Sequence, residues 1–340
     1  MITAEQFADK VGYHPRVQSL FRTAVSHSSS RRVLNAVYNK LTPRQQSTFY
    51  RYFSGLFMEH SARIASGVWK VRFAGRMALL PLDSEQPGLA WGTAVSIVGH
   101  DGEVKQTYRS ILNSPQRPEL FIDIGANFGT HSLLFLVHGI DTLTFEPNSS
   151  CIAYFKKLCE LNEVKPNLQH VALGERHGHV DLAFPAAETW LGSTNIDTIN
   201  RLAATHQLIA ERVDQKRLDD YLPQALGKRT LIKIDTEGNE AAVLRGGTSL
   251  LQRVRPVIVF ESRPDDDRVE LFQLLKRSGY QIHALPGVWP AAGAGLRTDQ
   301  FMNSTSTNFI ATAREERVVP LTQRRLPPRQ KSSREALLLR

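Results

Sequence analysis

Two blocks of the sequence carry residue types and spacings suited to chemistry. The first is Phe121-Ile-Asp-Ile-Gly-Ala-Asn-Phe-Gly129, which stands between a strand-like run and a helix-like run. Gly125 and Gly129 permit a tight turn and let a ligand come close to backbone. Glu146 closes the next strand-like run, 23 residues after Asp123. A carboxylate there can accept hydrogen bonds from both hydroxyls of a ribose, so the block predicts a nucleoside ligand. The loop reads G-x-x-x-G rather than the dinucleotide G-x-G-x-x-G. Asp123 at its mouth would repel a pyrophosphate. S-adenosyl-L-methionine has no phosphate and carries an ammonium and a sulfonium, which Asp123 complements directly or through water.

The second block is Leu231-Ile-Lys-Ile-Asp-Thr-Glu-Gly-Asn-Glu240. Its apolar run reads as a buried strand interrupted by Lys233. Ligands of open α/β sheets sit at the carboxyl ends of strands, which is where Asp235 and Glu237 fall. Lys233 and Asp235 alternate and share one face of a regular strand. Lys233 there pairs with these carboxylates or contacts a substrate. Glu240 has a simpler account, an acid complementing a helix N-terminus. Glu261, at the end of Pro256-Val-Ile-Val-Phe-Glu261, either lines an acceptor pocket or caps a turn. His131 lies in the first turn after the glycine loop with no assigned role. His177 and His179 flank Gly178 in an expected turn without metal spacing. Trp190, Gly192, Ser193 and Asn195 lie in a loop that covers the ligand or merely connects.

The elements that must hold these residues follow from periodicity. Residues 1–66 have helical spacing, as in Leu34, Val37, Tyr38, Leu41 and in Phe49, Tyr52, Phe53, Leu56, Phe57. They predict two or three helices whose aromatic stripes pack on the main domain. Residues 67–117 predict short strands at Val68–Phe73, Met77–Leu82 and Thr93–Val98, with Ala74-Gly75 as a turn, then a helix over Asp101–Leu112. Residues 118–313 alternate. Strands are expected at Leu120–Ile124, Thr142–Glu146, Leu168–Leu173, Thr230–Asp235 and Pro256–Glu261. Helices are expected near Thr130–His138, Ser149–Asn162, Glu240–Arg245 and Asp267–Ser278. Tyr280–Leu285 and Thr307–Ala313 form a closing pair of strands. Such alternation predicts a parallel sheet covered by helices on both faces. Residues 314–340, rich in Arg and Pro, are expected to be a disordered basic tail.

The chain has 340 residues and a formal net charge of +9. Residues 1–80 hold 12 basic and 3 acidic side chains, and residues 321–340 hold 6 and 1. The remainder, 81–320, is net −5, so the ligand-bearing middle is mildly acidic. That argues against a nucleic-acid site in the middle, because phosphate contacts need clustered Lys and Arg. No apolar run approaches the roughly 20 residues of a membrane helix, and the N-terminus has no hydrophobic stretch of the secretory kind. Cys151 and Cys159, on one expected helix, would lie ~12 Å apart, too far for a disulfide. A cytoplasmic setting is the expectation.

The blocks resemble the FkbM-type S-adenosylmethionine-dependent methyltransferases. The resemblance runs in order through Phe121–Gly129, Thr144-Phe-Glu-Pro147, Ala172-Leu-Gly-Glu175, Arg217-Leu-Asp-Asp-Tyr-Leu222, Ile232-Lys-Ile-Asp-Thr-Glu-Gly238 with Val243-Leu-Arg-Gly246, and Arg255-Pro…Phe260-Glu261. Gly102-Glu103 upstream and Asn308-Phe-Ile310 at the close extend it over residues 100–312. The Lys-Ile-Asp-x-Glu-Gly block is the most specific part. The resemblance implies a class I methyltransferase fold, a Rossmann-like, mostly parallel seven-stranded α/β sheet ending in an antiparallel strand. It implies methyl transfer from S-adenosyl-L-methionine to a hydroxyl of a sugar, polysaccharide or secondary metabolite. Asp123, Gly125, Ala126, Asn127, Gly129 and Glu146 would bind the cofactor, and Asp235 and Glu237 would face the reaction centre.

Methyl transfer from a sulfonium needs in-line alignment and gains from a base that takes the acceptor proton. Asp235 or Glu237 is the expected base, with Lys233 tuning it or contacting the acceptor. Two nearby carboxylates are compatible with Mg²⁺ but do not require it, so no metal ligand is assigned. The competing readings are an RNA or other nucleic-acid methyltransferase fed by the basic ends, and a non-catalytic cofactor-binding scaffold. Neither oligomeric state nor acceptor identity is readable.

Overall fold

The computed structural model describes residues 9–58, 63–185, 188, 191–264, 268–287, 289–291 and 293–313. The expected basic tail and Trp190 lie outside the described residues.

At the centre is a seven-stranded sheet. In chain order its strands are β3 (Leu120–Ile124), β4 (Asp141–Phe145), β5 (Asn167–Gln169), β9 (Thr230–Ile234), β10 (Val257–Glu261), β11 (Tyr280–Ala284) and β12 (Asn308–Ala313). Their spatial order is β11-β12-β10-β9-β3-β4-β5. All neighbours from β5 to β10 are parallel, and β12 runs antiparallel to both β10 and β11. This is the class I methyltransferase arrangement. Every residue of β3 and β9 is buried, as expected of parallel strands covered on both faces.

The period of two divides the core. Phe121, Leu231 and Val259 face one hydrophobic cluster, whereas Leu120, Ile122, Ile124, Ile232, Ile234 and Phe260 face the other. Asp123 and Lys233 are two residues on from Phe121 and Leu231, so they fall on the first face.

That first face is covered by the N-terminal third of the chain. Helices α1 (Pro15–Ser26), α2 (Ser28–Tyr38) and α3 (Pro43–Phe53) precede a hairpin of β1 (Gly67–Phe73) and β2 (Arg76–Leu82). Thr42 and Gln45 form a reciprocal capping box and Pro43 opens the first turn, which fixes where α3 starts. The hairpin turn is Ala74-Gly75, both at positive φ (44° and 86°), as its two-residue length demands. Tyr38, Phe49 and Phe53 pack with Trp69 and Trp91. The Trp91 indole donates to the Phe53 carbonyl at 2.6 Å, tying the cap to the helix beneath it.

That helix corrects an expectation. Thr93–Val98 is not a strand but part of α4 (Pro87–Gly99), which runs into α5 (Gly102–Leu112). Ala90, Trp91, Ala94, Val95, Ile97 and Val98 are all buried, so the helix is apolar around most of its girth. A helix without a polar stripe leaves no 3.6-residue signal to separate it from a buried strand.

A second correction lies past β5. The expected strand Leu168–Leu173 breaks at His170-Val171, and Ala172–Leu173 leaves the main sheet as β6. It pairs with β8 (Leu208–Lys216), which pairs antiparallel with β7 (Gly178–Pro185). The sequence pattern does not predict this three-stranded sheet. Strand β7 buries one continuous run, Leu182–Pro185, after an exposed start, and β8 buries a single residue, so neither shows alternation. His179 therefore sits in β7 rather than in a turn. The helices between strands fall where the pattern puts them: α6 (Thr130–Leu136), α7 (Ser149–Leu161), α10 (Glu240–Gly246) and α12 (Arg268–Arg277). Between them lie α8 (Ile196–Ala203), α9 (Leu222–Ala225) and α11 (Thr248–Val254). Cys151 and Cys159 are buried free thiols. No helix among the described residues is long and apolar enough to cross a membrane.

Candidate active site

The glycine loop joins β3 to α6 and is held by backbone. The Gly125 and Ala126 amides both donate to the Phe145 carbonyl at 3.0 Å, and the Gly129 amide donates to the Ala126 carbonyl at 2.8 Å. Gly125, Asn127 and Gly129 have φ of 75°, 53° and 72°. Glycine is required at Gly125 for a second reason. A Cβ there would lie 1.8 Å from the Asp235 carbonyl oxygen, because the Asp235 amide donates to the Ile124 carbonyl at 3.0 Å and brings the ends of β3 and β9 together. At Gly129 a Cβ would meet the Phe155 ring at 2.0 Å.

Glu146 stands opposite this loop. Its Oε2 accepts from the Asn127 amide at 2.6 Å and its Oε1 from the Asn148 amide at 2.7 Å. Each oxygen keeps further acceptor capacity toward the cleft. Burial pushes the pKa of this carboxyl up to about 7, against the two amide bonds that favour its charged form.

A cleft is lined by Gly125, Asn127 and Glu146 from the β3 and β4 side and by Asp235, Thr236 and Glu237 from the end of β9, the two sets meeting where Gly125 packs on Asp235. Gly192, Ser193 and Thr194 also line it. The Ser193 hydroxyl donates to the Glu237 carbonyl at 2.8 Å, and the Thr198 hydroxyl does so at 3.1 Å. The Asn195 side-chain amide donates to the Gly238 carbonyl at 2.8 Å. The segment thus clamps the turn after β9, in which Glu237 adopts φ 52°. Glu240 accepts from the Thr236 amide at 2.7 Å and so stays within its own helix turn.

Asp123, Ala126, Gly129 and Lys233 do not line the cleft; they shape it from behind. Asp123 is 1% exposed. Its Oδ2 accepts from Ser132 at 2.7 Å, and its Oδ1 is buried with no hydrogen-bond partner among the described residues. Burial raises its pKa, opposed by Lys233, its register partner on β9. Lys233 reaches Asp235 at 2.7 Å. Its burial would discharge it, but the charges of Asp235 and Asp123 hold its pKa above the ordinary lysine value.

The carboxylates of Asp235, Glu237 and Glu261 present oxygens within 4.8 Å of one another. Arg263 bridges two of them, Glu237 at 2.9 Å and Glu261 at 3.5 Å. Sequence reasoning misses Arg263, since nothing in a post-strand loop marks one arginine among many. Asp235 and Glu261 share a hydrogen bond, so one of the two carries a proton. Burial and the Asp235 charge push Glu261 up to about 9, which assigns it the proton. Asp235 has its pKa lowered: burial works against the charge, but Lys233 overcomes it. Burial and the Asp235 charge raise Glu237 to about 7, against Arg263. The two expected bases are therefore unlike: Asp235 is a fixed anion, and Glu237 titrates near neutrality.

The histidines of interest lie elsewhere. His131 is buried against Lys105 Nζ (2.6 Å) and the Tyr108 hydroxyl (3.1 Å). His177 pairs with Asp220 at 2.8 Å and His179 with Asp214 at 3.0 Å, both on the surface.

The chain is similar to several known proteins. The chain is 26% identical over 153 residues to the hexuronic acid methyltransferase AglP of Haloferax volcanii, a match covering 44% of this chain and 59% of that protein. The chain thus spans about 59% of the length of this curated relative. The crystal structure of methyltransferase FkbM from Methylobacillus flagellatus KT aligns with 16% identity over 67% of this chain and 55% of the other, at a TM-score of 0.37. The T. Thermophilus 16S rRNA N2 G1207 methyltransferase RsmC, in complex with AdoMet and guanosine, aligns with 12% identity over 73% and 51%, at 0.38. Residues 123–282 match the family model described as Methyltransferase FkbM domain.

Proposed function

We propose that the protein transfers a methyl group from S-adenosyl-L-methionine to a hydroxyl oxygen of a sugar or related metabolite. The observation that carries this reading is the cleft itself. A backbone-built nucleoside cradle around Glu146 lies on one side, and a carboxylate that titrates near 7 lies on the other.

The residues present suit the cofactor. Glu146 keeps acceptor capacity for ribose hydroxyls, and the unpaired Asp123 oxygen leaves negative potential beneath the loop for a cationic methionine end. When bound, S-adenosyl-L-methionine supplies an electrophilic methyl on a sulfonium. The chain's own work is to align the acceptor oxygen and take its proton. Glu237 is the base in this reading, since it is ionised in a useful fraction near pH 7 and lines the cleft. Asp235, locked to Lys233, is a positioning residue that keeps the local potential negative. No metal is assigned, because Lys233, Arg263 and the Glu261 proton already answer three carboxylates. The hexuronic acid methyltransferase among the relatives supports a sugar acceptor.

Calorimetry with S-adenosylhomocysteine, followed by labelled-methyl transfer to a panel of glycans and metabolite extracts, tests the proposal. Absence of cofactor binding would leave a scaffold reading in its place. Transfer to RNA alone would replace the sugar acceptor.

A further inference from the structure

One guanidinium holds two of the three clustered carboxylates. Arg263 is 42% exposed and holds Glu237, only 19% exposed, and Glu261, 22% exposed. A base engaged this way is a poor one. Its lone pairs are turned to a cation, and the charge of Arg263 pulls its pKa down. The pair is also unlike the neighbouring Lys233–Asp235 pair. There the acid is 27% exposed but the lysine is only 5% exposed and held within the sheet, so an anion from solvent meets little of the cation. Glu237 lines the cleft, and the Arg263 guanidinium paired with it is exposed enough for an anion from solvent to reach it.

Carboxylates match the fork of an arginine and bind it in two-point fashion. An acceptor that brings its own carboxylate can take the place of Glu237 on Arg263. The exchange replaces the Arg263–Glu237 contact with a two-point one, and it frees the Glu237 carboxylate beside the acceptor. Loss of the guanidinium contact and approach of a second anion both raise the basicity of Glu237.

We infer that Arg263 is the specificity-determining residue for an acidic sugar acceptor, a uronate, and that capture of the acceptor carboxylate releases Glu237 to act as base. This rests on the methyltransferase reading above. In the step, the acceptor O–H bond breaks and its proton passes to a Glu237 carboxylate oxygen. The acceptor oxygen forms a bond to the methyl carbon as the carbon–sulfur bond breaks. The electron pair stays on sulfur and leaves a neutral thioether. No oxidant, reductant or further reactant is needed.

The test uses the full chain saturated with S-adenosylhomocysteine and two probes, methyl β-D-glucuronide and methyl β-D-glucoside, followed by ligand-observed NMR. The expected result is a glucuronide affinity at least about tenfold above that of the glucoside, as one charge-assisted pair provides. Arg263→Gln should erase the difference, and Arg263→Lys should restore part of it. In turnover of the glucuronide, Arg263→Gln should raise KM more than it lowers kcat, and its acid limb should move to higher pH. Equal binding of the two probes, binding of neither, or a preference that survives Arg263→Gln would overturn the inference. Arg263 is largely at the surface, and a melting curve close to that of the parent chain establishes folding; Arg263→Lys is the second variant should Arg263→Gln unfold. Failure to bind S-adenosylhomocysteine at all would instead remove the methyltransferase reading, so the two failures are distinct.

Discussion

The two sides of the cleft are built on opposite principles. The Glu146 side is made of backbone: loop amides bond to Phe145, and two more amides hold Glu146. The β9–β10 side is made of side chains, with three carboxylates, one lysine and one arginine whose charges balance only when one of the acids holds a proton. A ligand common to many reactions can be held by a rigid frame. Proton transfer needs groups whose charge changes at working pH, and crowded, part-buried acids provide them.

The sharpest way to break the contrast is Gly125→Ala. The added Cβ collides with the Asp235 carbonyl and must separate the strands that carry the two sides. Binding of S-adenosylhomocysteine and methyl transfer should both fall below detection, with a stability loss of about 2–4 kcal/mol in urea titrations. Glu237→Gln should act on one side alone. Turnover should drop about 10²–10⁴-fold, the usual worth of a general base, while cofactor affinity measured by calorimetry stays within about threefold of the parent value, a small effect on this scale. If affinity falls as far as turnover, the sides are not separable.

Glu146→Gln should do the reverse. It turns one carboxylate oxygen into an amide NH₂ that faces a backbone N–H. Cofactor affinity should weaken about 10–100-fold, the cost of an unmade bond at a buried donor, with smaller loss in kcat at saturation. The pH dependence comes next. Glu237, raised to about 7, should give kcat/KM an acid limb that falls as pH drops through about 7. Stability should run the other way. Glu146 and Glu237 bind protons more tightly folded than unfolded, so stability from both is full below the unfolded carboxylate range and declines as pH rises toward about 7. Thermal melts from pH 5 to 8 check the sign, and Glu237→Gln should flatten the slope. The smallest effect should come from His179→Gln, which removes an exposed pair with Asp214 and should shift stability by under about 1 kcal/mol.

Much of the fold and site is legible in the chain because it is local. Gly125, Gly129 and the spacing to Glu146 announce a strand, a tight turn and a second strand. The period of two suffices to put Lys233 and Asp235 on one face. What stays illegible has common causes. The α4 helix is buried on too many sides to show a stripe. The β7–β8 pair shows no alternation, because β7 buries one continuous run, Leu182–Pro185, and β8 buries a single residue. Arg263 meets Glu237 across 26 residues, a separation over which sequence pattern carries no contact information.

The frame and the inventory are written along the chain: the parallel sheet, the glycine turn, the ribose-type acid and the acids closing β9 and β10. Periodicity and backbone sterics act within a few residues, and those features need nothing more. Folding decides which acid is which. Asp235 and Glu237 are two residues apart and chemically alike in sequence. Lys233 from the sheet interior fixes one as an anion, while burial, the Asp235 charge and Arg263 from the next strand's loop bring the other near neutrality. Protonation depends on solvation and on charges gathered from separate strands, and only the folded chain brings them together.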